Sequence, residues 1–100
     1  MYEILQTAEV TDYLDSLNPI DHKSALTAVK ALEMIGPDLR RPFSEYLRDG
    51  IFELRARKHR ILYRRHGSKF TLLTGFFKKG RKVPDKEIEK AVEIKKQISC

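Results

Sequence analysis

Between Arg55 and Lys82 the chain carries eleven lysines and arginines and no carboxylate. Guanidinium is a planar fork that stays protonated at neutral pH and grips phosphate oxygens in pairs. From Ile51 the residues alternate, with Phe52, Leu54 and Ala56 turned one way and Glu53, Arg55 and Arg57 the other. That is the period of a strand with one buried face. In a second strand, Arg60 alternates with Ile61 and Tyr63 with Arg64. Paired strands run about 5 Å apart, so Arg55, Arg57 and Arg60, with Lys58 beside them and the Tyr63 phenol, fall into one patch. Tyr63 and a phenylalanine such as Phe76 or Phe77 read either as core residues, the commoner role on pattern alone for Tyr63 and Phe76, or as rings that stack on bases. Lys78-Lys79-Gly80-Arg81-Lys82 follows at once and leads toward the last helix, whose first N–H groups add to the attraction for anions.

The whole-chain balance sharpens this reading. Twenty basic against fourteen acidic side chains leave a net +6. Residues 1–50 hold five basic and nine acidic groups, a net −4, and residues 51–100 hold fifteen and five, a net +10. Such a concentration repels itself unless a polyanion neutralises it, and nucleic acid is the first candidate. Other chemistries find little support. One cysteine and three scattered histidines (His22, His59, His66) do not make a zinc site. No Ser/His/Asp or Cys/His arrangement and no Gly-rich nucleotide loop is recognisable. His59 and His66 sit at expected turns, where histidine is usually exposed. Glu53 reads either as a general base or as an internal salt-bridge partner. Cys100 forms no internal disulfide, which suits a reducing cytoplasm, and no run is apolar enough to span a membrane.

The elements that must position these groups change period once, near residue 50. Tyr2–Thr7 reads as a short edge strand. Val10, Tyr13, Leu14 and Leu17 share one face of a helix that Asn18–Pro19 breaks. Asp21 is the expected N-cap of a second helix striped by Ala25, Ala28, Val29, Leu32 and Ile35 and stopped at Gly36–Pro37. Residues 37–49 read as irregular. Strands follow at 51–57, 60–65 and 69–77, the last two joined through a Gly-first turn at His66-Gly67-Ser68-Lys69. Apolar pairs Leu72/Leu73 and Phe76/Phe77 place the third strand inside the sheet, covered on both sides. Ile88, Ala91 and Val92 mark a last helix closed by Lys95 and Lys96. One domain, residues 1–100, of class α+β follows: a small antiparallel sheet, two N-terminal helices on one face and a C-terminal helix.

The stretch Leu47-Arg48-Asp49-Gly50-Ile51-Phe52-Glu53-Leu54-Arg55, then Arg60-Ile61-Leu62-Tyr63, Leu73-Thr74-Gly75-Phe76-Phe77-Lys78-Lys79, and Pro84 with Glu87-Ile88 and Ala91, resembles the RelE/HigB toxin superfamily. It is most similar to the phage-derived HigB-like branch. The match covers the second half in order and spacing, whereas the N-terminal helices fit by type alone.

The resemblance implies a RelE-like fold and the toxin of a type II toxin–antitoxin pair. Such a toxin is a metal-independent, cofactor-free endoribonuclease that cuts mRNA in the ribosomal decoding site. Its implied partners are the ribosome, that mRNA and a helix-turn-helix antitoxin, in the cytoplasm and without a membrane. Carried over by position, Arg55, Arg60, Lys78 and Lys79 are the catalytic cations and Tyr63 lies in the same strand motif as Arg60. The residues of the basic face and loop, Arg57, Lys58, Tyr63, Phe76, Arg81 and Lys82, are the expected RNA contacts. In the implied reaction the 2′-hydroxyl attacks the adjacent phosphorus, leaving a 2′,3′-cyclic phosphate and a 5′-hydroxyl. Preorganised cations that bind the transition-state charge accelerate that step. Lys78 or Lys79 is the candidate general base or acid, because neighbouring cations lower a lysine pKa. The chain departs from the family in having no tyrosine in the last helix and no C-terminal histidine. Two alternatives use the same residues differently: a ParE-like gyrase poison on this scaffold and a non-catalytic nucleic-acid-binding module. The acidic N-terminal half offers the antitoxin a docking surface on the helices, away from the basic side.

Overall fold

Two side-chain caps set the helical layer. Thr7 accepts from the Val10 N–H at 3.2 Å and starts α1 (Ala8–Asp15). Asn18 accepts from the Asp21 N–H at 2.9 Å and starts α2 (Pro19–Ile35). The cap is therefore Asn18 and not Asp21. Pro19 opens the helix, because its missing N–H is one that the first turn leaves unpaired anyway. Gly36 ends α2 at φ +67°, and a Cβ there would lie 2.3 Å from the Tyr2 ring. Only glycine serves at that position.

The computed structural model describes residues 1–98, so Cys100 lies outside the described residues. Five strands form one sheet: β1 (Glu3–Gln6), β2 (Ser44–Arg48), β3 (Ile51–Ala56), β4 (His59–His66) and β5 (Lys69–Phe77). Their spatial order is β1-β5-β4-β3-β2. The β2–β3, β3–β4 and β4–β5 pairings are antiparallel, and β1 joins the edge beside β5 in parallel. The stretch expected to be irregular holds a short 3₁₀ turn (Gly36–Asp38) and the edge strand β2. Strand β2 keeps only Ser44 buried, too little alternation to announce itself.

Side-chain parity separates two cores. Leu54, Ala56, Ile61, Tyr63, Phe70 and Leu72 pack with Val10, Leu14, Ala25, Ala28 and Leu32 of α1 and α2. Ile51, Leu62, Leu73 and Phe76 face the other way, against Ile88 and Ala91 of α3 (Asp85–Ile98). Leu72 and Leu73 enter different cores by simple alternation. A bulge opposite Leu62/Tyr63, with Leu73 as the extra residue, shifts the parity so that Phe76 faces α3 while Phe70 and Leu72 face α1 and α2. Strand β5 is thus covered on both sides, as its apolar pairs required. At Gly75 a Cβ would meet the Tyr13 ring at 2.6 Å, so glycine lets α1 lie close on β5. No helix among the described residues is long and apolar enough to cross a membrane.

Candidate nucleic-acid interface

The tight β3–β4 connection decides which cations meet. Arg55 and Arg60 are direct cross-strand partners on the face away from α1 and α2. Like charges directly opposite are destabilising unless countered, and two carboxylates counter them. Glu53, only 2% exposed, lies 3.0 Å from Arg60 Nε and 3.4 Å from Arg55 Nη2. Glu45 sits opposite Glu53 on β2. It accepts from Arg55 Nη2 at 2.6 Å and from Arg41 Nη2 at 2.7 Å. Glu53 is therefore the internal salt-bridge partner of the two readings open to it. The Arg60–Glu53 contact is a close ion pair without hydrogen-bond alignment, and Arg60 Nη1 instead donates to the Arg57 and His59 carbonyls.

This cluster keeps a positive excess. The Arg41 hydrogen bond holds the Glu45 carboxyl below its ordinary range, and Arg55 and Lys78 push the same way. Arg41, Arg55, Arg60 and Lys78 thus surround two carboxylates. Burial pushes the Arg60 guanidinium down, yet arginine stays charged at neutral pH. Lys78 is held by its own N–H, which donates to the Lys58 carbonyl at 2.8 Å and ties the end of β5 to the β3–β4 turn. Lys58, Lys79, Arg81 and Lys82 are exposed on the two loops beside it. Lys82 lines a groove of about 310 Å³ that also includes Glu45 and Arg48.

Three expected contacts fall elsewhere. Arg57 is not a strand residue, because it occupies the two-residue turn at φ +59°, the left-handed region that tight hairpins require. Its Nε pairs with Asp21 of α2 at 2.9 Å, on the helical side. Tyr63 is buried in the helical core, its Oη 2.5 Å from Ser44 Oγ and its ring stacked on Phe52. Phe76 is buried under α3. Neither ring is free to stack on a base, whereas Phe77 is 49% exposed.

Sequence reasoning also missed a polar node. His59, expected to be an exposed turn residue, is buried, with Nδ1 2.6 Å from Tyr13 Oη and Nε2 2.9 Å from Asp21 Oδ2. The His59 hydrogen bond is the main reason the Asp21 carboxyl sits below its ordinary value. No spacing rule joins residues 13, 21 and 59. Their meeting follows from α1 and α2 crossing the ends of β4 and β5.

A second hollow opens at the same edge. A cleft of about 580 Å³ runs between the first half of α2 and the start of β2, walled by Ile20, Phe43 and Pro42. Lys23, Arg55, Arg57 and Arg60 are the charged residues among those that line it, and no carboxylate does. No group of three or more His, Cys, Asp or Glu among the described residues is arranged to hold a metal ion.

A family model described as phage-derived protein Gp49-like matches residues 12–96. No curated protein matches the sequence at a significant level. Among solved structures the chain is similar to the archaeal RelE–RelB complex of Pyrococcus horikoshii (TM-score 0.68, 19% identity, 81% of this chain and 98% of that one). It is also similar to the Staphylococcus aureus YoeB–YefM complex (TM-score 0.60, 16% identity, 79% and 99%). A third similar structure is the Mycobacterium tuberculosis toxin–antitoxin complex RelBE2 (TM-score 0.51, 25% identity, 77% and 98%).

Proposed function

We propose, for a chain that belongs to the phage-derived Gp49-like family and has the RelE/YoeB fold, that it is the toxin of a toxin–antitoxin pair and cleaves mRNA on the ribosome. The observation that carries this reading is the cationic excess fixed around Glu45 and Glu53 at the end of β3, β4 and β5. Carboxylates behind Arg55 and Arg60 hold the guanidinium groups in place before substrate arrives. Transition-state charge is best met by donors that need no reorganisation. Arg60, 13% exposed at its side chain, acts chiefly as a strut. Arg55, Lys78 and the exposed Lys79 face the phosphate directly, and Lys58, Arg81 and Lys82 hold the flanking backbone.

In this reading the 2′-oxygen loses its proton and attacks phosphorus, the 5′-oxygen departs with a proton, and the cations stabilise the charged pentacoordinate state. Lys78 and Lys79 are the proton carriers on offer, since Tyr13, Tyr63 and His59 all lie on the helical side. A cognate antitoxin as partner is supported by the complexes in which similar folds occur. Among the described residues no tyrosine or imidazole hydrogen-bonds Arg55, which favours a second reading, in which the same cradle binds RNA without cutting it.

Programmed ribosomes incubated with the protein and read by primer extension decide between the two. Discrete cuts in the mRNA are expected, and Lys79→Ala lowers their rate by about 10²–10³, the usual cost of losing one charge-stabilising donor. Absence of cuts on ribosomes, with no growth arrest on expression, refutes the nuclease. Wild-type cutting by Lys79→Ala refutes the site.

A further inference from the structure

The cleft between α2 and the start of β2 borders the phosphate cradle and shares Arg55 and Arg60 with it. We infer that it is a nucleotide-binding pocket in which the base beside the gripped phosphate lies between Ile20 and Phe43. This rests on the reading of the cradle as an RNA site and adds where the strand runs from it. Three observations converge. Its volume of about 580 Å³ lies within the range of small-molecule sites. Its walls expose apolar surface that nothing in the fold covers. Ile20 is 68% and Phe43 47% exposed, and Phe43 makes no ring–ring contact among the described residues. Its charged lining is wholly cationic, and the carboxylates paired with Arg57, Arg55 and Arg60 (Asp21, Glu45 and Glu53) do not line it.

An occupant must therefore be anionic and carry a flat apolar body. A nucleotide joins both in one covalent unit. Arg55 and Arg60 of the cradle also line the cleft, so the two places adjoin at the β3–β4 end of the sheet. Ala28 and Ala56 are the small apolar residues of the lining, and of its two hydroxyls Thr27 already donates to the Lys23 carbonyl at 2.9 Å, which leaves Ser24 to read a base edge. The pocket accordingly holds bases by stacking, with weak discrimination among them.

The test is a methyl-detected NMR titration of the full chain with adenosine 3′-monophosphate, cytidine 3′-monophosphate, inorganic phosphate and an acidic hexapeptide, at matched ionic strength. Saturable shifts at Ile20, Ala28 and Ala56 with both nucleotides, absent with phosphate, are expected. Phe43→Ala weakens the nucleotides roughly tenfold or more, in line with losing one stacking partner. Ile20→Ser does so to a smaller degree and, at so exposed a position, leaves the fold intact. Equal shifts with phosphate, shifts with the peptide alone, or unchanged affinity in both variants overturn the pocket. Nucleotide binding without ribosomal cutting would sink the nuclease and spare the pocket. Ribosomal cutting with no nucleotide response would do the reverse.

Discussion

Glu53→Gln separates structure from function more cleanly than any change to a cation. Glu53 is 2% exposed, and its oxygens lie 3.0 Å from Arg60 and 3.4 Å from Arg55. Removing one partner of a buried pair costs about 3–5 kcal/mol, because the other charge is left uncompensated. Arg55 keeps Glu45 at 2.6 Å, so the loss falls mainly on Arg60 and the lower end, about 3 kcal/mol, is expected. For a domain of this size that lowers Tm by about 12–24 °C, and it moves the urea midpoint at unchanged slope. Glu45→Gln is the control. Its carboxylate is 29% exposed, and a pair so wet is worth less than about 1 kcal/mol. RNA binding should move the opposite way, since the cradle gains one uncompensated cation. For single strands the logarithmic salt slope steepens by about 0.7 per additional phosphate neutralised. A stability loss under about 1 kcal/mol, or an equal loss in Glu45→Gln, refutes the assignment of Glu53 as the buried counter-charge. Lower stability without tighter RNA binding refutes the view that Glu53 restrains the cradle.

Three further outcomes follow from the same contacts. Tyr63→Phe leaves ribosomal cutting unchanged and costs about 1–3 kcal/mol by leaving the buried Ser44 hydroxyl unpaired, measured by urea unfolding; lost cutting at retained stability would return Tyr63 to the RNA surface. Asp21 and Glu45 are held below their ordinary 3.8 and 4.5, so the stability they add is complete above those values and lost as pH falls through the lowered ones. Asp21→Asn therefore flattens the decline in stability below about pH 4, read by urea midpoints across pH, and an unchanged profile counts against the His59 contact. Gly75→Ala drives a methyl group against the Tyr13 ring, 2.6 Å from Cδ2, and destabilises by about 1–3 kcal/mol as overpacking does, whereas Gly80→Ala, with open space around it, changes thermal unfolding little.

What the sequence disclosed depended on how local its causes were. Period-two alternation revealed β3, β4 and β5 and placed Arg55 beside Arg60, because a tight turn leaves little freedom in register. Arg57 was misplaced for the same reason in reverse, since a two-residue turn consumes Arg57 and Lys58 and removes both from the alternation. Tyr63 shares parity with Ile61, and both are core residues, as the pattern of β4 favours for a ring at that position. Strand β2 and Glu45 stayed hidden because an edge strand with one buried residue has no period to read. Ile20 and Phe43 lie on separate elements and become neighbours only through the fold.

The β3–β4 turn explains why a helical layer matters to a cradle on the opposite face. Asp21 of α2 receives both Arg57 and His59, the residues on either side of Lys58. Arg57 and His59 lend their carbonyls to Arg60, and Lys58 lends its carbonyl to the Lys78 N–H. A single carboxylate at the start of α2 thus fixes the turn that sets the positions of Arg60 and Lys78. The left-handed backbone at Arg57, which costs an L-residue roughly 1–2 kcal/mol, is imposed by the two-residue turn, and so exposed an ion pair offsets only part of that cost. An acidic side chain within the first turn of α2 is therefore part of the basic site, although the two lie on opposite sides of the sheet.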